Sequence, residues 1–166
     1  MSERAQRFGA ALFDQVLARA TASPRGRINH NFHPTLEDPV HRFLNVVTRG
    51  SYVTPHRHTT PARSETFVVL RGAIAFWIFD DDGRVHLTSV LEEPGRGRDT
   101  GIDVPPGQWH SMAALSDHAV CFEVKEGPYV QASDKDFAPW APREGQPECA
   151  AWLHELIART VPRSHL

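Results

Sequence analysis

The strongest restriction on the fold is a rhythm of short segments. Between Val40 and Val124 the chain breaks into strand-like runs rich in β-branched and aromatic residues, at 41–47, 51–54, 66–71, 73–79, 84–90, 101–104, 108–115 and 118–125. Clusters of turn residues part them, among them Asp81-Asp82-Gly83, a hairpin signal, and Pro105-Pro106-Gly107. Many short strands at regular intervals point to an all-β jelly-roll sandwich or barrel rather than an α/β fold.

The flanks read differently. Phe8, Leu12, Phe13, Val16 and Leu17 recur at helical spacing, and the Ser, Pro and Gly of residues 21–26 stop that helix. Beyond Arg27, Asn29, His30, Asn31, His33, Pro34 and Asp38-Pro39 exclude a helix, and strands begin with HRFLNVV. Glu92 to Thr100 is a polar, glycine-containing surface loop. The proline-rich stretch GPYVQASDKDFAPWAPREG reads as an extended arm around the barrel, followed by a short helix from Glu148 to Arg159 with Trp152, Leu153, Leu156 and Ile157 on one face. A chain of 166 residues that is 40% hydrophobic supports one core. The expected layout is one domain: an N-terminal helix and lead-in strand over 1–35, a barrel over 36–130, and an arm with helix over 131–166.

A formal charge of −2 provides no basic field for a phosphate backbone, so nucleic acid is not an expected partner. Charges interrupt the apolar residues of the first twenty positions, and no stretch is long enough to span a bilayer, so the expected setting is cytoplasmic and off the membrane. Cys121 and Cys149 form no CxxC pair and offer neither a disulfide framework nor a thiolate zinc site.

Chemistry concentrates in Gly50-Ser-Tyr-Val-Thr-Pro-His56-Arg-His58. Residues two apart on a strand share a face, so His56 and His58 present two imidazoles to one side. Glu65 opens the next run and adds a carboxylate, while His110, just after the Pro-Pro-Gly turn, adds a third imidazole from far along the chain. Three imidazoles and a carboxylate suit a divalent transition metal: Fe, Mn, Ni, Cu or Zn.

These residues resemble the two cupin motifs. G-x5-H-x-H-x(3,4)-E-x6-G is matched by Gly50, His56, His58, Glu65 and Gly72, and P-x-G-x-x-H by Pro105, Gly107 and His110. Six residues, Thr59 to Ser64, separate His58 from Glu65 where the motif has three or four, and Ala114 stands where the second motif carries Asn. With NHNFHP, PHRH, ETFVVLRG, FDDDGRV, VPPGQWH, FEVKEGPY and DFAPWAP, the chain is similar to WbuC-type cupin metalloproteins from about Arg27 to Gly145. The resemblance implies a double-stranded β-helix (jelly-roll) barrel and brings no established reaction.

Other residues leave choices open. Asn29, Asn31 and His33 share one side of the lead-in strand. They contact a polar ligand if that strand crosses the barrel mouth, and face water if it is a plain edge; Tyr129 joins them as a candidate substrate contact. Glu123 and Lys125 alternate with apolar Val120, Phe122 and Val124. Facing the cavity, Glu123 could move a proton and Lys125 hold an anion, giving both catalytic parts; facing solvent, they are an ordinary ion pair. Trp109 must point away from His110 and pack behind it. The candidate functions are a metal-dependent isomerase, lyase or oxygenase acting on a small polar molecule, carbohydrate-like or carboxylate, and a non-catalytic module that binds or senses one. The apolar helix and arm raise the expectation of a homodimer.

Overall fold

Ten strands and two helices form from this sequence in the computed structural model, which describes residues 5–130 and 134–160. Residues 1–4 of the expected N-terminal segment, and 131–133 and 161–166 of the expected arm, lie outside the described residues. The order is α1 (Ala10–Ala22), β1 (Arg27–Asn31), β2 (Val40–Thr48), β3 (His56–Arg57), β4 (Glu65–Arg71), β5 (Ala73–Phe79), β6 (Val85–Glu92), β7 (Gly101–Val104), β8 (Trp109–Ala114), β9 (His118–Glu126), β10 (Asp136–Phe137) and α2 (Cys149–Thr160).

The strands form two antiparallel five-stranded sheets, ordered β1-β2-β9-β4-β7 and β10-β3-β8-β5-β6. This is the expected all-β jelly roll with a helix at each end. Alternation along each strand decides what lies between the sheets. Val47, Phe67, Val69, Ile74, Phe76, Ile78, Met112, Ala119 and Cys121 point inward and make the barrel core. Their neighbours are apolar too, because each sheet has a helix on its back. Leu44, Val46 and Val120 meet Phe13, Val16 and Ala20 of α1, while Ala75, Trp77, Phe79, Trp109 and Ala113 meet Leu153 and Leu156 of α2. That double cover is why β5 reads AIAFWIF without polar alternation. Gly72, at φ 78°, turns β4 into β5 where any Cβ would collide with the His118 carbonyl.

One local expectation needs correction. The run 51–54 is not a strand, because its polar groups are taken by side chains and distant carbonyls rather than by a ladder. The Tyr52 carbonyl accepts from Arg27 at 2.8 Å, the Val53 carbonyl accepts from the Ser111 hydroxyl at 2.7 Å, and the Tyr52 hydroxyl donates to Pro142 at 2.7 Å. The first helix ends at Ala22, within the expected stop at residues 21–26, with Ala20 buried against β2 and β9.

The apolar faces of α1 and α2 are covered by their own barrel, so they do not themselves call for a second subunit. Among the described residues no helix is long and apolar enough to cross a membrane. Leu153→Ala, in the cluster under α2, should cost about 2–4 kcal/mol in urea unfolding; a loss below about 0.5 kcal/mol, the range of a surface substitution, would mean that α2 is not part of the cooperative unit.

Candidate metal centre

The two sheets bring together residues that are remote in sequence. β3 pairs with β8 so that His56 lies directly opposite His110, and His58 follows at the end of β3. Glu65 starts β4 on the facing sheet with its side chain inward, in phase with Phe67 and Val69. The four side chains are buried and each offers one ligand atom, all within 4.8 Å of one another.

Hydrogen bonding settles which imidazole nitrogen is free. His56 Nδ1 faces the Thr54 carbonyl at 3.0 Å, His110 Nδ1 faces Gln108 at 2.9 Å, and His58 Nδ1 faces Asp134. A ring nitrogen beside a carbonyl must carry the proton, so in the neutral rings Nε2 holds the lone pair. Yet His58 Nε2 lies 3.1 Å from Glu65 Oε1 and His110 Nε2 lies 2.9 Å from Glu65 Oε2. Nε2 of both rings and Oε2 of Glu65 are buried without a hydrogen bond of proper geometry. Lone pairs facing a carboxylate at that distance repel unless a cation joins them, so this donor set fits a divalent transition metal. Burial and the nearby Lys135 charge hold the His56 imidazole well below its usual range, keeping it neutral. Neutral imidazole and ionised carboxylate are the forms that ligate metals.

Beside the centre lies a cavity of about 590 Å³. Of the two readings of β9, the structure places Glu123 and Lys125 inward, in phase with core residues Ala119 and Cys121, and both are buried. Glu123 Oε2 accepts from Asn45 Nδ2 at 2.9 Å; burial first, then the Glu65 charge, pushes its carboxyl up to about 8. Lys125 is not a free anchor. Its ammonium sits 3.0 Å from Asp134 and 3.7 Å from Glu65, and although burial opposes it, those carboxylates raise its pKa. Asn29, Asn31, His33 and Tyr129 line the same cavity, the two asparagines exposed on edge strand β1 and Tyr129 at the surface. His33 is buried and stacked on His41, ring centroids 4.1 Å apart. Trp109 points outward, as expected, and packs under α2.

Sequence reading missed Asp134, Arg63, Asn45, His41 and Lys135. Asp134 is the joint among them: its carbonyl accepts a hydrogen bond from His58 Nδ1, and its carboxylate binds Arg63 at 3.0 Å as well as Lys125. The available signal was the six-residue spacer between His58 and Glu65, because Arg63 belongs to that insertion and is buried.

A family model described as "Domain of unknown function (DUF6016)" matches residues 8–91. No curated protein matches the sequence. Among solved structures, an oxalate oxidase in complex with the substrate analogue glycolate is similar with a TM-score of 0.53 at 16% identity, covering 72% of this chain and 58% of that one. The capsular polysaccharide assembling protein CapF from Staphylococcus aureus gives 0.53 at 18% identity over 67% and 34% of the two chains. Procruciferin, an 11S globulin from Brassica napus, gives 0.50 at 13% over 69% and 27%. This chain thus spans less than two thirds of each of these structures. At such identities the likeness is one of fold, and the two-sheet barrel is the cupin jelly roll that the motifs anticipate.

The raised Glu123 carboxyl has a consequence for stability. The unfolded chain gives up this proton near the ordinary value of 4.5, the folded chain only at about 8. Between those values the folded state binds more protons, so this group's contribution to stability is lost as pH rises through that window. Glu123→Gln should therefore gain in melting temperature over wild type, both metal-free, as pH goes from about 5 to about 8; a difference that stays constant with pH would contradict a raised Glu123.

Proposed function

The chain belongs to the family described as a domain of unknown function, DUF6016, and from that footing we propose that it is a metal-dependent cupin enzyme of the WbuC type. Its substrate is a small polar molecule held in the barrel cavity beside a three-His, one-Glu centre. The observation that carries the reading is the convergence of His56, His58, Glu65 and His110 with every imidazole Nδ1 committed to a backbone carbonyl. When bound, a divalent Fe, Mn, Ni, Cu or Zn ion would supply Lewis acidity or activate water or dioxygen.

The protein's own groups support catalysis over mere binding. Glu123 lies in the cavity wall with one oxygen on Asn45, and burial raises its carboxyl to about 8, so it is placed to exchange a proton with a ligand. Lys125, fixed by Asp134, holds the Glu65 carboxylate in place from the adjacent strand, since the two residues are directly paired. Phe67, Phe76 and Met112, core residues between the sheets, give the cavity an apolar inner wall. The second reading, a module that binds or senses the molecule without changing it, uses the same cavity and leaves the tuned Glu123 without a task.

Elemental analysis of purified protein should find about one divalent first-row ion per chain, and little in a His56→Ala/His58→Ala double variant; equal content in the two would overturn the centre. We also retain the homodimer as a proposal. It would use another surface than the helices, such as edge strand β6 with Val85 and Leu87 exposed. Light scattering is expected to give twice the chain mass, and a clean monomer refutes it.

A further inference from the structure

The groups that wall the cavity do not balance in charge. Near the centre Glu65 and Asp134 are anions, and Arg63 and Lys125 are cations in contact with Asp134. Toward the opening, Arg25 and Arg27 share a single carboxylate, Glu144, at 2.7 Å each. Lys135 remains. It lines the cavity, and its ammonium feels Glu65, Lys125, Glu123 and Asp134, while His56 feels it in turn. Among the described residues no carboxylate lies within ion-pair distance of it. Much of the residue's surface is open, yet burial is the first cause holding its ammonium below the usual lysine range.

A divalent ion on the four ligands would add two positive charges and no negative one. Whether or not Glu123 keeps its proton, cations then outnumber anions around the cavity. Enclosed charge is stable only when countered, and the described part of the chain offers no further counter-charge. The position of Lys135 is not incidental either. Asp134, its neighbour, is fixed through Arg63, Lys125 and His58, and Asp136 and Phe137 pair with Arg57 and His56 as β10 against β3.

We infer that Lys135 anchors an anionic group of the ligand, so that the cavity takes a small hydroxylated carboxylate lying between Lys135 and the metal centre. The inference rests on the metal-centre reading and adds the ligand class. One unpaired ammonium matches a single carboxylate, since the guanidinium of Arg63, the natural partner for a phosphate, is already committed to Asp134 and the Pro128 carbonyl. Asn29 and Asn31, exposed on the strand that borders the cavity, offer amides to hydroxyl groups.

The test is calorimetric titration of zinc-loaded protein with glycerate and with glycerol, its uncharged analogue, in wild type, Lys135→Met and Lys135→Arg, with metal content measured on each. Wild type should bind glycerate in preference to glycerol. Lys135→Met should weaken glycerate by about tenfold or more, the loss expected of one charge-assisted contact, with zinc content unchanged, and Lys135→Arg should restore most of the affinity. Equal glycerate affinity in wild type and Lys135→Met, or loaded wild type that does not prefer glycerate to glycerol, overturns this inference and leaves the metal centre standing. Wild type that takes up no zinc overturns the metal centre and this inference with it.

Discussion

Three imidazoles and a carboxylate gathered inside an apolar barrel oppose one another unless something positive lies between them. Desolvating an ionised carboxylate costs several kcal/mol even after relaxation, and here the atoms facing Glu65 are ring nitrogens whose protons are on the far side of the ring. The backbone arranges this. Thr54, Gln108 and Asp134 each present a carbonyl to an Nδ1, and in doing so aim every Nε2 at the same place. Thr54 does so from the segment just before β3, and Asp134 from the C-terminal arm, which pairs with β3 at residues 136–137.

The arm returns through Asp134, and the charges that receive it are buried on both sides. Arg63 comes from the insertion after His58, and Lys125 from β9. Removing one member of such a network leaves an uncompensated buried charge, a loss of about 3–5 kcal/mol. The network is also continuous with the centre, because Lys125 reaches Glu65 and the Asp134 carbonyl reaches His58. Ligand geometry and arm position are consequently one structural feature, and the length of the His58 to Glu65 spacer is what lets Arg63 take part.

Much of this was legible in the sequence, for definite reasons. The period-2 pattern and turn clusters located most of the strands, and His56, His58, Glu65 and His110 stood out because ligand spacing on strands leaves a local mark. The backs of the sheets were legible too: AIAFWIF has no polar alternation because α2 covers it, and Trp109 had to oppose His110. What stayed hidden depends on distant partners. Strand 51–54 failed because its carbonyls are claimed by Arg27 and Ser111, which no local pattern announces. Asp134 and Lys135 sit in a polar, irregular stretch with no periodicity to mark them. On β9 either face was open to a reading by alternation alone; the choice is made by Ala119 and Cys121, small residues that fit the inter-sheet space and so turn Glu123 and Lys125 inward with them.

The inward turn of β9 puts two carboxyl groups, Glu65 and Glu123, into one enclosed space on adjacent strands, and their environments drive them apart. Glu65 is one of the four metal-ligand candidates and has the Lys125 ammonium 3.7 Å away, which favours its ionised form. Glu123, one inward step further along the barrel and paired across the sheet with Phe67, accepts its hydrogen bond from the Asn45 amide, and burial and the Glu65 charge outweigh the nearby lysines and push it up to about 8. Burial acts on both in the same direction, so the difference lies in their partners. Like charge sharpens it: the ionised Glu65 is itself a cause of the rise at Glu123. A fixed anion beside a group that still holds its proton is how one cavity divides holding from proton transfer. In this barrel the division comes from which rung of the sheet each carboxyl occupies.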